Sequence, residues 1–209
     1  MTTTTYTLTL NIPESALRQI LAEGQRIAVA RQNHGGLADV AWAGIEPAQR
    51  TTVGWNDGGY RLYASDSPLA PGTHITQKAG TLATLGSSYV FSTAGSFGPG
   101  TATPASDTIE VTNDDTSQPV TLFGLTEAVF VNRLEQAAAP FCALGAHAGT
   151  SESFTPTGEV IVWLARGVRS GSIVDPPPFG ETRVELSAQK PAVSLTYSEH
   201  QGRFVGTDP

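Results

Sequence analysis

Cysteine and lysine are scarce in this chain. Its 209 residues include one cysteine, Cys142, which excludes an intramolecular disulfide framework and a cysteine-based zinc cluster. The two lysines, Lys78 and Lys190, are far apart, and no run of basic residues occurs. The formal net charge is −7 and the pI is near 5.0. Proteins that bind nucleic acid or anionic membranes do so through clustered positive charge, so we expect neither as a partner.

Long apolar runs are also absent. No window approaches the ~18 uninterrupted apolar residues of a membrane span. The N-terminal sequence MTTTTYTLTLNIP lacks the basic region and the apolar region of a secretory signal. We therefore predict no transmembrane segment, and a protein that is cytoplasmic or is released without an ordinary signal peptide.

Signatures of catalysis are missing as well. No GxGxxG, P-loop, GxSxG or HExxH pattern occurs, and the four histidines, His34, His74, His147 and His200, show no ligand-like spacing. Cys142 has apolar neighbours, which favours a buried small hydrophobe over a reactive thiol with His147 as its base. We predict no catalytic residue, no cofactor and no enzyme. The alternative is an enzyme whose histidine and carboxylate meet only in space, with His74 as the first candidate.

Two clusters of turn residues contain oxygen atoms of the kind that calcium binds. They are Asn56-Asp57-Gly58-Gly59 and Asn113-Asp114-Asp115. Neither has the alternating acidic positions and the terminal glutamate of an EF-hand loop. Turn formation accounts for both clusters, so we predict no metal site.

What the chain has in abundance is turn residues and short alternating segments. It contains 22 glycines and 14 prolines, and only 15% of its residues are charged, against roughly 25% in an average globular protein. Near the N-terminus Tyr6, Leu8 and Leu10 alternate with threonines, which predicts a strand with one face in the core. About eleven such strands are predicted in the whole chain, at spacings typical of sandwiches and barrels. We predict an all-β fold, an antiparallel β-sandwich with one short N-terminal helix.

The helix is predicted at residues 14–23. Leu17, Ile20 and Leu21 form an i, i+3, i+4 stripe, Glu14 lies in the first turn, and Gly24 is placed to end the helix. The predicted core comprises the apolar residues with the right parity: Leu8, Leu10, Leu17, Leu21, Ile27, Val29, Trp42, Val53, Leu62, Val120, Val129, Val160, Val162, Ile173, Val184 and Leu195.

The chain is predicted to divide into two halves. Residues 1–80 form the first half of the sandwich and include the helix, residues 81–106 are a connection rich in glycine, serine and threonine, and residues 107–209 form the second half. The similar order of aromatic and glycine residues in 60–75 and 160–174 leaves open that the halves are copies of one another. Residues 182–186 and 193–197 are predicted to form a closing hairpin.

Aromatic residues are most concentrated between residues 38 and 63, where Trp42, Trp55, Tyr60 and Tyr63 occur. Asn56 to Gly59 interrupts this stretch and predicts a tight hairpin between its strands. Tyr60 and Tyr63 have opposite parity, so one of them should be exposed on a regular strand. An exposed ring with a polar group suits stacking on a sugar. The alternative places these rings in the core as cross-strand pairs, and for the tryptophans it is the favoured one. We predict Trp55, Tyr60 and Tyr63 as ligand-binding residues.

Three functions remain open on this reading. The preferred one is a non-catalytic interaction protein, either a lectin-like binder of carbohydrate or another small ligand, or a self-assembling homo-oligomer, because low surface charge does little to keep copies apart. The second is a membrane-active defence protein. A short amphipathic helix before Arg26-Ile27-Ala28-Val29, followed by a β-rich body, resembles the layout of sea-anemone pore-forming toxins. The third is the enzyme with a site assembled in space.

Overall fold

The computed structural model describes residues 4–33, 40–56, 58–174 and 180–206. These residues form one helix and a series of short strands. Their bounds in chain order are β1 Thr5–Asn11, α1 Glu14–Ala22, β2 Gln25–Asn33, β3 Val40–Ile45, β4 Arg50–Asn56, β5 Arg61–Ser65, β6 Gln77–Leu82, β7 Ser87–Phe91, β8 Thr101–Ala102, β9 Ile109–Asn113, β10 Val120–Glu127, β11 Phe130–Val131, β12 Leu134–Glu135, β13 Ala139–Pro140, β14 Leu144–His147, β15 Ser151–Phe154, β16 Pro156–Arg166, β17 Ser172–Ile173, β18 Thr182–Glu185, β19 Ala192–Ser198 and β20 Arg203–Gly206.

The strands assemble into four sheets. Sheet A has the order β12-β11-β4-β1-β19-β20, and sheet B has the order β17-β3-β2-β16-β18. Sheet C has the order β13-β10-β5-β6, with β14 also on β10, and sheet D has the order β15-β9-β7-β8. Most pairs are antiparallel, but β1 runs parallel to β19 and β7 runs parallel to β9. The predicted class, an all-β sandwich with one short helix, is confirmed.

Strand β1 shows how the alternation builds the fold. Tyr6, Leu8 and Leu10 are buried, while the threonines between them lie on the opposite, outward face of sheet A. The inward side chains join a single core to which all four sheets contribute. Sheets A and B meet there through Trp55 and Trp42, whose rings pack edge to face with centroids 5.4 Å apart.

A β-bulge aims Trp42 into this core. Val29 on β2 pairs with Ala43, whereas the next residue, Ala30, pairs with Ala41, so Trp42 is an extra residue on β3. A bulge bends its strand and re-aims the bulged side chain. Trp42 and Ala43 consequently both lie in the core between the sheets, although they are neighbours in sequence.

Helix α1 covers one end of the core. Ala16 and Ile20 are its buried residues, and Gly24 ends it with a φ of 65°. The predicted helix is confirmed, but its inward face is rotated from the predicted stripe. Leu21 is 43% exposed, because α1 packs on β2 through the face that holds Ala16 and Ile20.

The predicted core is correct except at three positions. The prediction is wrong for Leu21, which is exposed, and Leu17 is only partly buried against the core. Val120 is 42% exposed, because it is the first residue of β10 and pairs with the exposed His147 at the end of the sheet.

Both predicted hairpins are wrong. The two edges of β4 are occupied by β1 and β11, and those of β5 by β10 and β6, so the segment after Asn56 connects two sheets. Likewise β19 pairs with β1 and β20, while β18 pairs with β16. In each case other strands replace the predicted partner, such as β11 on β4 and β1 on β19.

Strands from the two halves of the chain share sheets. Sheet A joins β1 to β19, sheet B joins β2 to β16, and sheet C joins β5 to β10. The segment 81–106 contributes β7 and β8 to sheet D, and its Tyr89 and Phe91 are buried. The division at residues 81 and 107, and the similarity of the halves, stay predictions about how the chain is organised.

Candidate functional site

The three residues predicted to bind a ligand are buried. Trp55 and Tyr63 are 0% exposed and Tyr60 is 3% exposed. The expectation that one tyrosine faces solvent is therefore wrong. Parity implies an exposed ring only where one face of β5 is open, but both faces are covered: Leu62 faces the main core and Tyr63 faces a second apolar cluster on the opposite side.

These rings do not form one platform. Trp55 and Tyr60 belong to the main core and are linked through Trp42 and Phe141, with ring centroids 5.4 to 6.4 Å apart along the chain of contacts. Tyr63 lies in the second cluster, where its hydroxyl donates a 2.8 Å hydrogen bond to the carbonyl oxygen of Cys142. Ligand binding by these residues remains a prediction. Because the three rings are buried, none of them presents a face to solvent.

At the centre of this aromatic group lies a buried ion pair. Arg31 and Glu127, whose side chains are 3% and 1% exposed, form a salt bridge. Arg31 also donates to the Tyr60 hydroxyl at 3.1 Å and to the Thr157 carbonyl oxygen at 3.2 Å. Its guanidinium carbon lies 5.3 to 5.9 Å from the ring centroids of the surrounding Trp42, Tyr60 and Phe141.

The electrostatics of this pair favour a charged arginine. Burial alone would lower the pKa of Arg31, but the Glu127 carboxylate and Tyr60 outweigh it, and the pKa is raised. The pair was missed from the sequence, although a signal exists. Arg31 has the parity of Ile27 and Val29, which places a charge on an inward face.

The outer face of sheet A carries a groove of about 490 Å³, within the range of small-ligand sites. Strands β1 and β4 form its floor, and β11 with the turn that follows forms one wall. The residues that line it are Thr5, Thr7, Thr9, Arg50, Thr52, Gly54, Asn56, Phe130 and Arg133. The threonines had been predicted to face outward, but the residues from β4 and β11 meet them only through tertiary pairing.

Hydroxyl groups dominate the floor of the groove. Thr5 donates to the Asn56 side-chain oxygen at 2.8 Å, and Thr52 donates its backbone N–H to the Asn132 side-chain oxygen at 2.9 Å. Within the described part of the chain, the hydroxyls of Thr7 and Thr9 make no hydrogen bond to protein. They are therefore open to a ligand.

Gly54 deepens the groove beside an aromatic ring. It pairs with Thr7 on one side and with Phe130 on the other, and all three residues face outward. A Cβ atom built on Gly54 would lie 3.4 Å from the nearest atom, the Tyr6 carbonyl oxygen. The protein therefore has room for a side chain here, and the space is left to the groove.

Two arginines give one end of the groove a positive charge. Arg50 starts β4, and Arg133 lies in the two-residue turn between β11 and β12. Asn132 and Arg133 have φ values of 52° and 68°, a hairpin geometry in which glycine is preferred at the second position. An arginine there costs about 1 kcal/mol. Neither Arg50 nor Arg133 pairs with an acidic side chain among the described residues.

In two other depressions of the described surface, a charged side chain that could bind a ligand already has a partner in the protein. A groove of about 530 Å³ between β18 and β19 contains Arg183, which is already bound to Glu159 at 3.2 Å and to Glu181 at 2.9 Å. A small cleft of about 120 Å³ under α1 holds Glu23, Glu199 and Tyr197. Burial and the two carboxylates raise the pKa of Tyr197, while Glu23 already lies 3.9 Å from Arg166.

The described histidines lie at the surface. His74, His147 and His200 are exposed, and none of the three is within ion-pair distance of a carboxylate. His147 instead lies 3.0 Å from the Pro119 carbonyl oxygen through Nδ1. His34 lies outside the described residues. The alternative of an enzyme with a site assembled in space therefore has no geometric support in these parts of the chain.

Cys142 is buried at 4% exposure, as its apolar neighbours predict. Its Sγ accepts a 3.4 Å hydrogen bond from the backbone N–H of Leu125. The structure shows a cysteine used for packing inside the core.

The cluster Asn113-Asp114-Asp115 forms a hydrogen-bonded turn. The Asn113 side chain accepts from the Asp115 N–H at 3.1 Å, and Asp115 accepts from the Ser117 N–H at 2.9 Å. These bonds from Ser117 lower the pKa of Asp115. No group of three potential metal-ligating side chains occurs in residues 4–33, 40–56, 58–174 and 180–206. Asp57, from the other cluster, lies outside those residues.

Comparisons with protein-family models, with curated proteins and with solved structures found no match to this chain. Within the residues that the structure describes, no helix has the length and apolarity needed to span a membrane.

Proposed function

We propose that this protein is a non-catalytic binding protein that takes up a hydroxyl-rich ligand, a short saccharide, in the groove on the outer face of sheet A. The observation that carries the proposal is the pair of free threonine hydroxyls, Thr7 and Thr9, beside the half-buried ring of Phe130. Saccharide sites combine polar groups that exchange hydrogen bonds with sugar hydroxyls and an aromatic ring that contacts the apolar face of the sugar.

The dimensions of the groove support a short ligand. From Thr5 to Thr9 the floor extends over four residue steps, about 13 Å at the usual rise of a strand. Asn56 closes one end with an amide group, and Gly54 leaves an indentation in the middle. Because β1 lies between β4 and β19 in the sheet, the floor is rigid, and binding requires little ordering of the protein.

The experiment is a screen on a glycan array followed by titration calorimetry with the tightest glycan. We expect wild-type binding to be abolished by Gly54→Val, which fills the indentation with a β-branched side chain suited to a strand. Gly80→Val is the matched control. Gly80 also lies within a strand, and its built Cβ would meet a backbone carbonyl oxygen at 3.5 Å, but sheet C holds it away from the groove. Wild-type protein that binds no glycan, or equal binding by both variants, would contradict the proposal.

Self-association is a second candidate, favoured by one strand. β6 lies at the edge of sheet C, and its Leu82 is 72% exposed. An edge strand with an exposed apolar residue is a template for pairing with another chain. Light scattering after gel filtration should show an oligomer that Leu82→Glu converts to a monomer. A wild-type monomer at all concentrations would contradict this candidate.

A further inference from the structure

We infer that the saccharide held in this groove is acidic and that a carboxylate of a uronate residue is bound between Arg50 and Arg133. The inference rests on the proposed function and specifies the class of its ligand. It follows from where the two arginines lie, from the absence of acids around them, and from the conformation in which Arg133 is held.

Strand register places both arginines at the same end of the groove. Val131 on β11 pairs with Val53, and the Asn132 N–H donates to the Thr52 carbonyl oxygen at 2.8 Å. Because β11 and β4 are antiparallel, the next residue, Arg133, continues toward Arg50. The opposite end holds the neutral Thr5 and Asn56, which are hydrogen-bonded to one another.

The positive charge at this end of the groove is opposite in sign to the net charge of the chain. The chain has a formal net charge of −7, yet the lining of the groove contains two arginines and no carboxylate. The acid that is closest by register, Glu135 on β12, pairs with Phe130 and so lies beyond that ring from the floor. Two guanidinium groups without an acidic partner in the described protein attract an anion, while the negative remainder of the surface disfavours long polyanions.

A uronate matches both parts of the groove. The planar guanidinium fork binds a carboxylate through paired hydrogen bonds, which lysine cannot reproduce. The ring hydroxyls of the same sugar would meet Thr7 and Thr9 on the floor. The position of Arg133 adds a further argument, because glycine would fit its positive φ of 68° with less strain. An arginine at such a position is consistent with a binding role.

The test uses two probes with the same sugar rings, a galacturonate oligomer and its methyl ester, in which each carboxylate is replaced by a neutral ester. Titration calorimetry should show the acid binding at least tenfold more tightly than the ester, and the difference should shrink as salt rises. Arg50→Gln and Arg133→Gly should each remove about tenfold of the affinity for the acid and leave the ester unaffected. Arg61→Gln, an exposed strand arginine outside the groove, is the control for net charge.

Thermal unfolding distinguishes a structural role of Arg133 from a role in binding. Arg133→Gly should leave the melting temperature unchanged or raise it while the preference for the acid is lost. Equal affinity for acid and ester, or a glycan array on which only neutral glycans bind, overturns the inference and leaves the proposed function standing. An array on which nothing binds removes the proposed function, and the inference with it.

Discussion

The buried pair of Arg31 and Glu127 allows a prediction with a calculable size. Replacing Glu127 by glutamine leaves the guanidinium without a counter-charge in a site where both side chains are at most 3% exposed. Breaking a buried pair in this way costs about 3–5 kcal/mol. For a chain of this length, 1 kcal/mol shifts the melting temperature by about 2–4 °C, so we expect Glu127→Gln to lower it by about 6–20 °C.

Arg31→Met should cost a similar amount, because it leaves Glu127 charged and also removes the hydrogen bond to the Thr157 carbonyl oxygen. The double variant, Arg31→Met with Glu127→Leu, replaces the pair by apolar groups and should be more stable than either single variant. Urea unfolding followed by tryptophan fluorescence measures all three. If the double variant is no more stable than either single variant, the cost does not come from an uncompensated buried charge and the prediction is refuted.

Three further predictions concern packing and pH. Gly124→Ala should prevent folding, because its Cβ would collide with the backbone carbonyl oxygen of Cys142, whereas Gly59→Ala, with nothing within 4 Å, should be neutral by circular dichroism. Ile20→Ala should cost about 2–5 kcal/mol in urea, and Leu21→Ala, on the exposed face, should cost much less. Asp115 has a lowered pKa, so its stabilisation is present above the ordinary aspartate pKa of about 3.9 and is lost as pH falls through the lower folded value. Asp115→Asn should flatten the acid limb of the stability curve, and an unchanged limb would contradict this assignment.

Side-chain parity could be predicted from the sequence because it is local. Tyr6, Leu8 and Leu10 lie inward and the intervening threonines outward, as the alternation of β1 requires. Strand partners could not be predicted in the same way. Leu8 pairs with Val193 in the parallel partner β19, and no pattern near either residue specifies the other.

The candidate site was missed for the same reason. Its floor comes from one strand whose outward face was predicted, but Phe130 and Arg133 reach it only because β11 pairs with β4. Conversely, one of Tyr60 and Tyr63 was expected to be exposed, but Tyr63 is buried because a second apolar cluster covers the outer face of β5. Alternation specifies which side a residue faces and leaves open what lies there.

The most direct test of the account is a titration of isotope-labelled protein with the tightest glycan from the array, followed by amide chemical shifts in NMR. We predict that the largest shifts fall on Thr7, Thr9, Gly54 and Phe130 and that the glycan is recovered intact. Shifts concentrated in sheets C and D, or cleavage of the glycan, would contradict it.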